Sequence, residues 1–484
     1  MSTPQQLLIG GTWRDASSGA THDVINSFTG EAVTTQAAAT VGDAFAAADA
    51  AWDAFPAWSA TAPSERRAIL EKAGELLSER APEVAKIVSE ETAGTFGWGM
   101  FNCALAAGMF AAAAVEAEAQ MTEPVETAVP GLDSRMVRQP LGVCVGIAPW
   151  NAPVILGSRA IIWPLAFGNT VVLKASEQSP RVHGAIVQCL IDAGIPDGVV
   201  NLITNDPKDA GAVVGALIEN PHVTHINFTG SSKVGAIIAA KAAPLLKRTL
   251  LELGGKAPLV VLDDADLDAA AAAASFGAFM HSGQICMSTE RIVADKSIVA
   301  DLVAKLAERA AGLTTGSPFD EGTMVGPVVT ASSSQHVTEL IADAKDKGAT
   351  IAAGGTSEGA VHRPTVLTGV TPEMRIYGEE SFGPIVTVVA ADGVDDAVRI
   401  ANDTEYGLSA AVFGRDTDRA LSVASRIDSG ICHVNSSTVA DEPAAPFGGV
   451  KHSGWGRFGS GQVAAEFTTT RWITISREER HYPI

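Results

Sequence analysis

The run Leu141-Gly142-Val143-Cys144-Val145-Gly146-Ile147-Ala148, continued by Pro149-Trp150-Asn151 and closed by Thr170-Val171-Val172-Leu173-Lys174, decides the fold. Two short β-type apolar runs flank a helical one. Pro149, Asn151, Pro153, Arg159, Pro164 and Asn169 break this most apolar part of the chain below the roughly 20 residues a membrane helix needs, so it reads as buried strand, loop and helix. Further strand-like runs follow at Val199 to Ile203 and His225 to Phe228, with helical stretches between. Such alternation predicts a parallel sheet with crossover helices.

A second set of the same signals begins after Leu253-Gly254-Gly255. Its strands are Pro258 to Leu262, Arg291 to Ala294 and Ile385 to Ala390, and its helices Ile298 to Ala311 and Ser334 to Lys347. The expectation is therefore an α/β chain with two Rossmann-like parallel-sheet domains. Before the first set lie helical stretches at Val41 to Phe55, Pro63 to Ser78 and the Ala-rich Asn102 to Ala119. Two pieces fit neither domain: Thr122 to Arg138, and the end from Glu466, where Thr468 to Ile475 reads as an edge strand. They are expected to pair with each other or with another subunit.

The chain has 484 residues, more than one hydrophobic core usually organises, and its 46% hydrophobic content supplies ample core material. A formal net charge of −21 argues against polyanionic partners, so neither nucleic acid nor an anionic membrane is expected. The first residues show no basic segment followed by an apolar one, and a cytoplasmic location is expected. Asp263, Asp264, Asp266 and Asp268 imitate a calcium loop. Ala269 stands where the turn needs glycine and Ser275 where the bidentate Glu belongs, so the cluster reads as a helix start and no metal is expected.

Five cysteines show no metal-ligand spacing and imply no disulfide framework. Cys103, Cys144, Cys189 and Cys432 lie in helical or β-type apolar runs and read as structural. Cys286 differs, because His281-Ser282-Gly283-Gln284-Ile285-Cys286-Met287-Ser288-Thr289 sets it in a polar, glycine-containing turn. It reads as a nucleophile. His281 is the only nearby histidine or lysine that the sequence offers to hold a thiolate.

Other segments carry complementary chemistry, although each has a commoner structural use when read singly. Phe228-Thr229-Gly230-Ser231-Ser232-Lys233-Val234-Gly235 joins a strand to a helix start, where glycines and oriented N–H groups suit a phosphate. Lys174-Ala175-Ser176-Glu177 follows a strand at the end where open α/β sheets bind ligands, and its lysine and carboxylate suit ribose hydroxyls. Glu252-Leu253-Gly254-Gly255-Lys256 places a carboxylate after an apolar run, where desolvation makes it a base near neutrality. The Asn151 amide can donate to a developing oxyanion.

Together and in this order, these segments resemble the aldehyde dehydrogenase superfamily over essentially the full chain, along with Glu380-Ser381-Phe382-Gly383-Pro384 and Pro446-Phe447-Gly448-Gly449. The resemblance implies Cys286 as nucleophile, Glu252 as the base for hydrolysis and Asn151 as oxyanion donor. It implies cofactor contacts from Trp150, Lys174, Glu177, Gly230, Ser231, Gly235, Leu253, Glu380 and Phe382. It divides the chain into an NAD-binding domain (1–121 and 139–251), a catalytic domain (252–448) and oligomerisation segments (122–138 and 462–484) of a homodimer or homotetramer.

A carboxylate gripping both ribose hydroxyls repels a 2′-phosphate, so Glu177 favours NAD over NADP; rotated beside Lys174, it admits both. Asn435 to Pro443, Arg457-Phe458-Gly459, Arg471 to Ile475 and His481-Tyr482-Pro483 resemble the branch acting on benzaldehyde, salicylaldehyde and vanillin. An aromatic aldehyde is the expected substrate, with Ala152, Leu156, Arg159, Ile285, Met287, Val439 and Phe447 as tunnel-lining candidates. Arg159, two helical turns beyond Asn151, either binds a ring oxygen or forms an ion pair at the tunnel mouth. Ala440 stands where this branch often carries histidine.

Overall fold

The computed structural model describes residues 4–119, 121–459, 461–480, 482 and 484. His481 and Pro483 of the C-terminal motif lie outside them.

The first sheet has eight strands among the described residues. Its parallel centre runs Val200–Ile203, Thr170–Lys174, Val143–Ile147, Val223–Thr229 and Arg248–Glu252. The central three are buried along nearly their whole length, as Val/Ile/Leu runs covered on both faces must be. Counted along the chain, the order is 3-2-1-4-5, a doubly wound sheet whose direction reverses between the 143–147 and 223–229 strands. Ligands bind beyond the carboxyl ends of strands at such a switch point. Pro149-Trp150-Asn151 and Gly230-Ser231 leave from those two ends, Lys174 to Glu177 and Glu252 from the strands beside them.

The second sheet runs Thr350–Ala353, Thr365–Thr368, Ile385–Ala391, Thr289–Asp295, Ala257–Val261, Ser409–Phe413 and Ile431–Val434, parallel except at its first pair. The expected strands of both sheets are present. The edge positions and the short antiparallel strands Leu7–Ile9, Thr12–Arg14 and Gly454–Trp455 carried too little pattern to be singled out. Cys432 departs from its structural reading. It is exposed, because the 431–434 strand forms an open edge.

Thr468–Ser476 pairs antiparallel with Leu132–Pro140, which pairs with Thr122–Pro124, so the two leftover segments form a small sheet of their own. Trp472 on it is exposed.

Local signals explain the helices that frame the site. Thr40 and Asp43 form a capping box that starts Val41–Ala60, and the helix runs on through Pro56 because Trp58 is locked into the core. Phe96–Glu116 starts at the Thr95 cap, earlier than the Ala-rich stretch alone predicts. It is long and apolar enough to cross a membrane, yet half of its most apolar part is buried, against Pro63–Glu79, Ala81–Thr92 and Pro153–Ala166. Asp266 caps Leu267–Phe279, accepting from the Asp268 and Ala269 amides, as a helix start should.

Candidate active site

Pro149, Trp150, Asn151, Thr229, Gly230, Ser231, Glu252, Leu253, Gly254, Cys286, Glu380 and Phe382 line one cavity of about 240 Å³. The nucleophile, base and amide singled out in the sequence therefore share one space with six of the nine expected cofactor contacts.

The turn that presents Cys286 is strained and pinned. His281, Ser282 and Gly283 take positive φ angles of 48°, 57° and 72° in succession. A Cβ on Gly283 would lie 2.0 Å from the Gly383 carbonyl oxygen, so no other residue fits there. Gln284 holds the turn: its Nε2 donates to the His281 carbonyl (3.1 Å), and its Oε1 accepts from the Val329 amide (2.9 Å). The Gln284 carbonyl also accepts from Asn151 Nδ2 at 3.0 Å. The second Asn151 amide hydrogen stays available beside the half-buried Cys286.

Burial, followed by the Glu252 and Glu380 carboxyls, pushes the Cys286 thiol well above its usual range, while Arg159 pulls it down. His281 gives no such help. It is stacked on Trp98 with ring centroids 4.7 Å apart, and burial lowers its pKa to about 3, so it is neutral. The nearby cation is Arg159.

Glu252 ends its strand almost fully buried, and neither carboxylate oxygen has a hydrogen-bond partner. Burial raises its pKa to about 7; Arg159 and the Cys286 side chain act in the opposite direction. A buried acceptor with idle lone pairs beside a thiol is equipped to take a proton.

Arg159 lies in Pro153–Ala166, and Asn151 precedes that helix. Of its two expected roles, the ion pair is the one present. Arg159 pairs with Asp441, but both side chains are buried, 3% and 9% exposed, and the guanidinium lies 4.1 Å from the centroid of the Phe447 ring. The pair forms inside because the helix is buried along its whole length.

Ala152, Leu156, Ile285, Met287 and Phe447 belong to one buried apolar cluster, with Cys286 and Val439 packed against it. Neither these apolar residues nor Arg159 are among those lining the Cys286 cavity; the apolar ones meet Cys286 only through this core cluster. Thr438 donates to the Met287 carbonyl at 2.8 Å.

A second cavity of about 590 Å³ shares Pro149, Trp150, Thr229, Gly230 and Ser231 with the first, so the two form one elongated groove. Lys174 and Glu177 line its far part as an ion pair, and Asn205 Nδ2 donates to Glu177 at 2.9 Å. Burial alone would raise the Glu177 pKa, but Lys174 and these hydrogen bonds bring it below the ordinary value, and the group is ionised. Ser231 caps Ser232–Ala242, whose N-terminus faces the groove. Gly235 is not among the lining residues; a Cβ there would lie 2.6 Å from Leu253 Cδ2, so it lets the helix approach Leu253. At the near end Glu380 accepts from the Gly255 amide at 2.9 Å, and Phe382 meets Trp150 edge-on with centroids 5.7 Å apart. Burial raises the Glu380 pKa to about 8. An elongated groove with a helix N-terminus midway and a carboxylate at each end fits a dinucleotide.

Several contributors to this site escape sequence reasoning. Trp98 donates its Nε1 to the Asn151 carbonyl at 2.9 Å, Gln284 frames the turn, and Asp441 holds Arg159. Asp441 and Gln284 lay inside quoted motifs, but their partners are remote in sequence. Trp98 gave no signal.

The chain matches the aldehyde dehydrogenase family over residues 13–473. It is 52% identical over 478 residues to a vanillin dehydrogenase of Pseudomonas fluorescens, covering 99% of both chains. Its fold superimposes on a salicylaldehyde dehydrogenase from Pseudomonas putida G7 complexed with salicylaldehyde with a TM-score of 0.98, at 44% identity and full coverage of both chains. A betaine aldehyde dehydrogenase from Staphylococcus aureus in complex with NAD+ gives 0.95 at 30% identity, covering 99% of this chain and 96% of that one. With residues 13–473 matched and relatives alike from end to end, this chain belongs to the aldehyde dehydrogenase family.

Proposed function

We propose that the protein oxidises an aromatic aldehyde to its carboxylic acid with NAD, through a covalent intermediate on Cys286. The observation that carries this reading is the shared cavity of Cys286, Glu252 and Asn151, opening onto the dinucleotide-shaped groove.

Glu252, with both oxygens unpartnered and a pKa near 7, accepts the Cys286 proton as sulfur attacks the aldehyde carbon. The resulting thiohemiacetal oxyanion is held by the free Asn151 amide hydrogen and the Cys286 backbone N–H. Lys174 and Glu177 would hold the adenosine ribose of the dinucleotide, the Gly230–Ser231 turn its phosphates and Glu380 the nicotinamide ribose, and the group held there would supply a hydride acceptor. Once the Cys286 thioester has formed, Glu252 gives up to solvent the proton it took from sulfur, then deprotonates the attacking water; the C–S bond breaks and the proton passes to the departing sulfur, releasing carboxylate and free thiol.

For the aromatic ring, support comes from the vanillin and salicylaldehyde dehydrogenases that the chain resembles, and from the apolar cluster of Leu156, Ile285, Met287, Val439 and Phe447 against which Cys286 packs. In this reading 1–121 and 139–251 serve the cofactor and 252–448 the chemistry. The sheet built from the 122–138 and 462–484 segments is the arm of a homodimer or homotetramer, an assembly that sedimentation equilibrium measures.

The test is benzaldehyde oxidation by wild type and Cys286→Ala, with and without coenzyme A. One benzoate per NADH, independent of coenzyme A and absent in the variant, is expected. Full oxidation by the variant, or a coenzyme A thioester as product, contradicts the reading.

A further inference from the structure

Behind the cofactor end of the cavity lies a buried charge network that the proposed chemistry does not use. Lys256 is fully buried, and its Nζ donates to Glu290 Oε2 and to the Glu379 carbonyl, each at 2.7 Å. The Glu290 side chain is 4% exposed and is not among the groove-lining residues. Its other oxygen, Oε1, accepts from the Ser381 amide at 2.9 Å, the Ser381 hydroxyl at 2.8 Å and the Phe382 amide at 3.4 Å.

These contacts converge on one tripeptide. Glu380 and Phe382, the side chains that line the nicotinamide end, lie on either side of Ser381. Phe382 is held at a φ of +44°, a left-handed conformation costly for an aromatic residue, which persists only where surrounding contacts impose it. The network also reaches the opposite wall. Lys256 follows Gly255, whose amide donates to Glu380, and a Cβ on Gly254 would lie 2.6 Å from Glu380 Oε2.

We infer that Glu290 is a positioning residue for the cofactor: held by Lys256, it clamps the 380–382 backbone so that Glu380 and Phe382 are set before the dinucleotide arrives. This rests on the proposed use of NAD. Preorganisation of this kind acts on affinity, because a loop already ordered loses less freedom on binding. Charge is part of the design, since a carboxylate accepting several N–H and O–H groups binds them more strongly than a neutral acceptor. Removing one member alone strands the other as a buried, uncompensated charge. The informative variants are therefore Ser381→Ala, which deletes one bond and keeps both charges, and the double variant Glu290→Gln/Lys256→Met, which removes both.

Calorimetric titration with NAD, in the absence of aldehyde, reads affinity directly. Hydrolysis of p-nitrophenyl acetate, which uses Cys286 and Glu252 and needs no dinucleotide, reads the rest of the site. The inference predicts a dissociation constant for NAD raised about tenfold in Ser381→Ala, and more in the double variant if it folds, on the scale of a lost charge-assisted bond. It also predicts a raised KM for NAD with the KM for aldehyde and the ester hydrolysis rate unchanged. Unaltered NAD affinity in Ser381→Ala overturns it, as does a loss of ester hydrolysis parallel to the loss of affinity. Wild-type protein that takes up neither NAD nor NADP overturns the functional reading as well.

Discussion

Arg159 and Asp441, 282 positions apart in the chain, meet in a buried ion pair whose guanidinium lies over the Phe447 ring. The pair brings a positive and a negative charge to the neighbourhood of Glu252 with opposite effects, Arg159 lowering its pKa and Asp441 raising it. Arg159→Met should therefore move the pH dependence of turnover to higher pH, and Asp441→Asn to lower pH. Either single variant also strands a buried charge and should cost about 3–5 kcal/mol of stability. Equal displacement of the profile in the same direction for both variants would refute this electrostatic account.

Glu252 sets the acid limb of wild type. Its folded pKa of about 7 lies above the ordinary carboxyl value, so it is protonated below pH 7 and becomes a competent base above it. Thioester hydrolysis should rise with pH through about 7 and then level. Single-turnover rates after rapid acylation measure this, and Glu252→Gln should lose about 10²–10⁴-fold and the limb with it.

Cofactor choice follows from Glu177. It is paired with Lys174, the arrangement that admits both cofactors, but its ionised carboxylate still acts against a 2′-phosphate, so kcat/KM should be higher with NAD while NADP is also used. Glu177→Gln frees Lys174 and should narrow that ratio by about tenfold, the scale of one screened charge contact. A wild-type preference for NADP contradicts this assignment.

Gly283 is predicted to be intolerant of substitution. Its φ of +72° and the contact a Cβ would make with Gly383 tie the Cys286 turn to the loop carrying Glu380 and Phe382. Gly283→Ala should cost about 1–3 kcal/mol or more in stability, with kcat falling beyond what the shifted Tm explains.

The parallel strands were legible because buried Val/Ile/Leu runs alternate with helices between turn residues, and two helix starts because Ser231 and Asp266 are strong caps. Residues brought together from distant segments were not. Nothing local to Asp441 indicates Arg159, and nothing in Glu290 indicates Ser381, since such pairings arise only when elements distant in sequence, a helix and a loop or two neighbouring strands of one sheet, are brought together by the fold. Cys432 was misread for a related reason: an apolar strand pattern does not say whether the strand lies at an edge. The Cys286 turn was visible as glycine and polar residues, but its three left-handed residues belong to the packing against Gly383 and Val329.

The central claim, that aromatic aldehydes are oxidised at Cys286, is tested most directly by kcat/KM for NAD reduction across benzaldehyde, its hydroxylated and methoxylated forms, and short aliphatic aldehydes. The account predicts that the aromatic aldehydes exceed the short aliphatic ones by at least about tenfold, the worth of burying an additional ring portion in an apolar site. Equal or higher kcat/KM for the short aliphatic aldehydes would contradict it.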